Sequence, residues 1–196
     1  ITKVNDISYM FERMRTTNML ISGKGFENWD TRNVTNMNRM FGLYGGHGPG
    51  TLEVFQNWRT DSLTTIYAFG AYAWFANSEG PVQNYLNTKV VNEGTASEYI
   101  AWNVSNVTNF GYMFQGNRVN LNIDNWQINT TADVTFEGFF QNGTAQTQWT
   151  IGGTTPDIPR GSADCASRVT ANGAKTRSVT LGTTNPVTYT AWDMQK

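Results

Sequence analysis

This sequence predicts an α/β repeat solenoid of about 24-residue units, each a short strand plus a short helix. Three observations carry that reading. The stretch WDTRNVTNMNRMF, Trp29 to Phe41, returns as WNVSNVTNFGYMF, Trp102 to Phe114. The apolar residues that follow each tryptophan keep fixed offsets. The tryptophan anchors Trp29, Trp58, Trp102, Trp126, Trp149 and Trp192 lie 29, 44, 24, 23 and 43 residues apart, as a unit of about 24 residues with insertions in two places would set them.

The copies run in order along the chain. The first lacks its tryptophan but has Val4, Ile7, Met10 and Phe11 in the relative spacing of the others. In the second, Trp29 is followed by Val34, Met37, Met40 and Phe41, at offsets +5, +8, +11 and +12. The third sets Leu63, Ile66 and Phe69 behind Trp58 and fails only at Gly70. The fourth restores the full set, Trp102 with Val107, Phe110, Met113 and Phe114. A looser fifth starts at Trp126, with Phe136, Phe139 and Phe140 in its last three slots, and Trp149 opens a degenerate sixth. YTAWD, Tyr189 to Asp193, echoes YIAWN, Tyr99 to Asn103, so the chain is expected to start and end inside a repeat. An apolar residue also stands three before most anchors, as Phe26, Phe55, Tyr99, Ile123 and Tyr189.

Offsets of +5, +8, +11 and +12 fall within about a third of a helix circumference, so VTNMNRMF reads as two helical turns with one buried stripe. Asn33 and Asn106 precede that segment as caps. The residues around each tryptophan, as in FENWDT and NIDNWQI, alternate and carry turn formers, which predicts a short strand. So short a helix is marginal in water, and stacking of copies is what joins the Trp, Met and Phe rows into one core. Met fills gaps between imperfect copies, and Asn tolerates left-handed corners.

These motifs resemble the BspA-type leucine-rich-repeat surface proteins, whose units carry the pattern W-D-T-S-x-V-T-x-M-x-x-M-F. WDTRNVTNMNRMF departs from it mainly at Arg32, where the pattern has Ser, and partial copies extend the resemblance over roughly residues 1 to 150. The resemblance implies an irregular leucine-rich-repeat-like solenoid at a bacterial cell surface, with adhesion or host contact as its role. Similar repeats occur in virion proteins of marine bacteriophages.

The organisation expected is a repeat region over 1–150, with insertions near 42–51 and 67–98, and a Thr- and Gly-rich insertion or cap over 151–196 that ends in the start of another repeat. Function in repeat arrays usually sits on such insertions. GLYGGHGPG, Gly42 to Gly50, lacks the strand, helix and lysine of a phosphate loop and reads as a flexible loop carrying His47. In the longer insertion, Phe69, Trp74 and Phe75 are expected to plug the core, and Tyr72 and Tyr85 to face out. Tyr72, Trp74, Tyr85 and His47 are the candidate interaction residues, since Tyr and Trp dominate interface hot spots. Arg160, Arg168, Lys175 and Arg177 in the last segment read as solvated loop charges.

Composition narrows the function. A net charge of −1 with only 15% charged residues leaves no basic field for nucleic acid or anionic lipid. No apolar run approaches the roughly 20 residues of a membrane-spanning helix. The one cysteine, Cys165, excludes an intramolecular disulfide framework. Sequons begin at Asn33, Asn103, Asn106, Asn129 and Asn142, and the repeat spelling NVT explains them better than glycosylation does. One histidine in a glycine loop and one distant cysteine make no nucleophile and base pair, and no ligand spacing suggests a metal or cofactor. The expectation is a non-catalytic protein, extracellular, on a cell surface or on a virion exterior, contacting other proteins or surface glycans. A virion structural protein packed against neighbouring copies in a symmetric assembly is the second reading. The third, from another class, is a carbohydrate-active β-solenoid enzyme, which requires two carboxylates about 5 to 10 Å apart in one aromatic groove.

Overall fold

The computed structural model describes residues 3–14, 25–42, 51–73, 75, 83–117, 121–123, 125–127, 129, 131–132, 134–139, 149–150 and 175–193. Five of the sequence copies stack in parallel, one on the next, joined by single backbone bridges that run Asp6, Asn36, Thr65, Asn109, Thr135. Their inward residues form one continuous core. Val34, Met37, Met40, Phe41, Trp58, Trp102, Val107, Phe110, Met113 and Phe114 have no exposed surface, and Trp126 has almost none. Trp29 is half-buried against the same cluster.

The expected strand-plus-helix unit is not what forms. No α-helix occurs among the described residues, and only two single 3₁₀ turns appear, Phe26–Asn28 and Leu52–Phe55, both where a strand before the tryptophan was expected. The VTNMNRMF segment is a chain of tight turns. The Met40 N–H donates to the Met37 carbonyl, Phe69 to Ile66, Met113 to Phe110 and Phe139 to Phe136. In each turn the third residue is left-handed: Arg39 at φ 52°, Ala68 at 51°, Tyr112 at 56° and Gly138 at 59°, with Tyr9 at 58° in the matching place of the first copy. One left-handed residue per turn is incompatible with a right-handed helix.

The backbone shows why the turns win. Alternate N–H groups point along the stack: Met37, Arg39 and Phe41 donate to the carbonyls of Thr65, Tyr67 and Phe69, where a helix would send them four residues back. The same ladder joins the first copy to the second, the third to the fourth and the fourth to the fifth, with N···O distances of 2.7–3.1 Å. Side chains complete it. Asp6, Asn36 and Asn109 each accept from the N–H two residues on, at 2.8–2.9 Å, the local bond by which Asp and Asn compete with helix. An apolar spacing of three, three and one therefore describes the inner wall of a coil of turns as well as it describes a helical stripe.

The tryptophan corners are built as regularly. Trp58 Nε1 donates to the Phe26 carbonyl at 2.8 Å, Trp102 to Phe55 at 2.8 Å and Trp126 to Leu86 at 2.7 Å, so each indole ties its copy to an earlier one. Two residues after the anchor, Thr31 Oγ1 donates to the Arg59 carbonyl and Thr60 Oγ1 to Asn103. The third copy's missing Phe is also accounted for. A Cβ at Gly70 would lie 2.6 Å from the Phe75 ring, which fills the vacant slot between Phe41 and Phe114 at centroid distances of 6.3 and 6.2 Å.

Among the described residues three two-stranded sheets decorate the stack: β1 (Lys89–Val91) with β2 (Tyr99–Ala101), antiparallel; β3 (Leu121–Asn122) with β4 (Trp149–Thr150), parallel; and β5 (Lys175–Leu181) with β6 (Val187–Asp193), antiparallel. The echo between YIAWN and YTAWD now has a structural meaning. Both are return strands of hairpins, and each tyrosine hydroxyl donates to the carbonyl of the residue before a tryptophan anchor, Tyr99 to Asn57 at 2.7 Å and Tyr189 to Asn125.

The left-handed turn can be tested by paired substitutions. Ala68→Gly leaves stability unchanged or raises it by up to about 1 kcal/mol, whereas in a helix it would cost about that much. Gly116→Ala, at φ 71° with its added Cβ 2.3 Å from the Tyr72 ring, loses roughly 1–3 kcal/mol. Urea unfolding of the two variants reads both.

Candidate functional site

Two surface features are built by this architecture. The first is a set of tyrosines carried on the turns of successive copies, termed here the tyrosine ribbon. Tyr67 lies over Gly111, Tyr72 over Gly116 and Tyr112 over Gly138, each ring resting on the glycine at the equivalent position of the next copy. A Cβ on Gly138 would come 2.4 Å from the Tyr112 ring. Tyr67 and Tyr112 meet edge to face at 5.6 Å, and the Tyr112 hydroxyl donates to Glu137 Oε1 at 2.8 Å, which raises the phenol's pKa. At the first copy, the Arg39 guanidinium sits 5.7 Å over the Tyr9 ring and pairs with Glu12 at 2.6 Å. Tyr9 remains 54% exposed and Tyr72 40%, enough to present broad aromatic surface to a partner.

The second is a cleft of about 460 Å³ between the tryptophan corners of the second and third copies and the loop of the β1–β2 hairpin. Its floor holds Trp29, whose ring is parallel to that of buried Trp58 at 5.9 Å. Two arginines flank it. Arg32 forks onto Asp30 at 2.7–2.8 Å, and this bond first of all holds the Asp30 carboxyl below its usual pKa. Arg59 pairs with Asp61 and lies 5.6 Å over the Tyr99 ring. Burial is the main reason that the Tyr99 phenol is raised. Glu27 and Glu98 line the same cleft, each with one oxygen on a backbone N–H, that of Gly25 at 2.7 Å and that of Gly94 at 2.6 Å.

One wall of the cleft is clamped from outside. Glu93, at the hairpin tip, accepts from the backbone N–H groups of Thr183 and Thr184 and from the Thr183 hydroxyl, which hold its carboxyl below the usual value of 4.5. The tip of β5–β6 thus grips the tip of β1–β2.

The residues singled out from sequence fall in different places. Tyr72 is on the ribbon, and Tyr85 is half-buried and packed on the core. Phe69 and Phe75 are buried. Trp74, His47, Phe140, Cys165, Arg160 and Arg168 lie outside the described residues. Sequence reasoning passed over the cleft's Arg32, Arg59, Glu27 and Glu98. A signal existed at Arg32, the one clear departure from the W-D-T-S pattern, and in the i, i+2 charge pairs Asp30–Arg32 and Arg59–Asp61. The ribbon had one too, in the Tyr and Gly that alternate at matched positions of successive copies.

Three carboxylates, those of Glu27, Asp30 and Glu98, do share this cleft with Trp29 and Tyr99. A glycosidase pairs a carboxyl raised to act as acid with one that stays ionised, and the lowered Asp30 fits only the second of these roles. Among the described residues, no group of three or more His, Cys, Asp or Glu side chains could hold a metal ion, and no helix is long and apolar enough to cross a membrane.

A parallel stack of turn-built copies, tied by backbone ladders and decorated by hairpins, defines a repeat protein. The particular family follows from comparison: residues 5–150 match the family described as "Mycoplasma protein of unknown function, DUF285", and the chain belongs to it. No curated protein and no solved structure matches the chain significantly.

The Glu93 clamp carries a pH prediction. The bound form is the anion and its pKa is depressed, so the contact is intact at neutral pH and is lost as pH falls through the lowered value. In an NMR titration the Thr183 and Thr184 amide shifts should move with a midpoint below 4.5, the ordinary Glu value, and Glu93→Ala should abolish that transition.

Proposed function

We propose that this chain is a non-catalytic, surface-exposed repeat protein of the BspA type, which makes protein-protein or adhesive contacts at a cell surface or virion exterior. The tyrosine ribbon carries this reading. The rings of Tyr67, Tyr72 and Tyr112 are pinned on glycines of the adjoining copy and that of Tyr9 lies under Arg39, so they lose little freedom on binding, and they offer apolar area with a hydroxyl at the rim. The backbone of the inner copies is consumed by stacking, which leaves side chains along the turn edge to make specific contacts. In the cleft, the Arg32 and backbone partners of the carboxylates fit a rigid binding surface better than proton transfer.

Beads coated with the full chain should adhere to cultured host cells, and the variant carrying Tyr9→Ala and Tyr72→Ala should adhere at least tenfold less while unfolding at a similar urea concentration. Equal adhesion by both preparations counts against the ribbon.

The second reading, a structural protein packed against neighbouring copies in a symmetric assembly, takes the open edge of the first copy as the place where a further repeat, of this chain or of another, would stack. Val4, Tyr9 and Met10 are exposed there. The carbonyls of Asp6, Ser8 and Met10 accept no backbone bond among the described residues, whereas their counterparts at Asn36, Asn38 and Met40 each do. Light scattering with intact-mass spectrometry on native material separates the two: a large symmetric particle supports assembly, and a monomer supports the adhesive module.

A further inference from the structure

The cleft beside Trp29 is independent of the tyrosine ribbon, and its chemistry identifies a different kind of ligand. We propose that it binds a neutral saccharide, one or two sugar residues long. About 460 Å³ is within the range of small-ligand sites. Three separate segments build it, and each is fastened. The Tyr99 hydroxyl is bonded to the Asn57 carbonyl at 2.7 Å, Arg59 is held between Asp61 and the Tyr99 ring, and Arg32 is forked onto Asp30. Such a site needs little ordering when a ligand arrives.

Charge excludes the alternatives. Asp30 and Asp61 neutralise the two arginines, and Glu27 and Glu98 add two further negative charges, so an acidic sugar or a phosphate is repelled. Glu27 and Glu98 each already accept from a backbone N–H, and the cleft holds no grouping suited to a metal ion among the described residues. What remains on offer is a mixture of fixed donors and fixed acceptors. Arg32 engages Asp30 through Nε and Nη2 and so retains further N–H donors, while Glu27 and Glu98 retain acceptor lone pairs. A sugar hydroxyl both donates and accepts, and neighbouring hydroxyls on one ring can satisfy an arginine and a carboxylate together. Trp29 and Tyr99 supply the apolar surface that the C–H faces of a pyranose require.

The test uses the whole chain on an array of neutral, sialylated and sulfated oligosaccharides, followed by calorimetry with the best neutral probe and mass spectrometry of that probe after incubation. The expected result is retention of neutral glycans only, with affinity about tenfold weaker in Arg32→Ala and in Glu98→Gln. Urea unfolding of each variant, together with Lys3→Ala, an exposed site outside both cleft and ribbon, as a control that leaves glycan affinity unchanged, separates loss of the site from loss of the fold. Preference for sialylated or sulfated probes, absence of any neutral ligand, or equal binding by the folded Arg32→Ala variant overturns the proposal. Cleavage of the probe would overturn the non-catalytic reading and leave the saccharide site standing. Failure of the ribbon variants to alter adhesion bears on that reading alone.

Discussion

Alternation of the backbone N–H groups governs this molecule. In the second, third and fourth copies one N–H goes outward to the next copy and another closes a turn within its own, as Arg39 donates to Tyr67 while Met40 donates to Met37. That division is available only if the chain reverses tightly between the two, which a left-handed residue at the third turn position permits. A non-glycine residue pays about 1 kcal/mol or more to sit there. The cost is met by the ladder and by inward burial of a large side chain at nearly every third position.

Every other feature inherits that spacing. Rings meet from copy to copy because the copies stack in register: Phe11 and Phe41 are parallel at 5.4 Å, and Phe110 and Phe136 at 4.8 Å. Tyrosines fall on glycines of the next copy for the same reason, since equivalent positions lie directly above one another. Where an insertion breaks the numerical period, the packing still respects the slots, as when Phe75 occupies the column that Gly70 leaves empty. The β1–β2 hairpin is added at a tryptophan corner without disturbing the ladder, because Trp102 still donates its backbone N–H to Trp58. Its loop thereby comes over Trp29 and makes a cleft from residues nearly seventy positions apart.

Ribbon and cleft differ in physical character, and this bears on what each can recognise. The ribbon is aromatic, with its rings lying on the turns. The cleft is small, polar and held by ion pairs of the i, i+2 kind, suited to a ligand with directional hydrogen bonds. Both lie on the repeat region that matches the family, residues 5–150.

The sequence by itself determined the inventory of the core. The offsets from Trp29 and Trp102 named the side chains that are buried, and the recurrence of the motif implied stacking, because burial follows from the order of apolar residues along a periodic chain. It did not determine the local backbone. A spacing of three, three and one is shared by a helical stripe and a coil of turns, and the choice depends on whether N–H groups find partners four residues back or in the next copy, a tertiary matter. The role of Asn36 and Asn109 as acceptors for the N–H two residues on emerges only once the helix is excluded. Likewise, YTAWD could be recognised as an echo of YIAWN, yet only the fold made Tyr99 and Tyr189 hooks onto Asn57 and Asn125. The cleft was decided wholly by tertiary structure, since Arg32, Arg59 and Glu98 belong to different copies and a hairpin, and nothing in their local sequence brings them together.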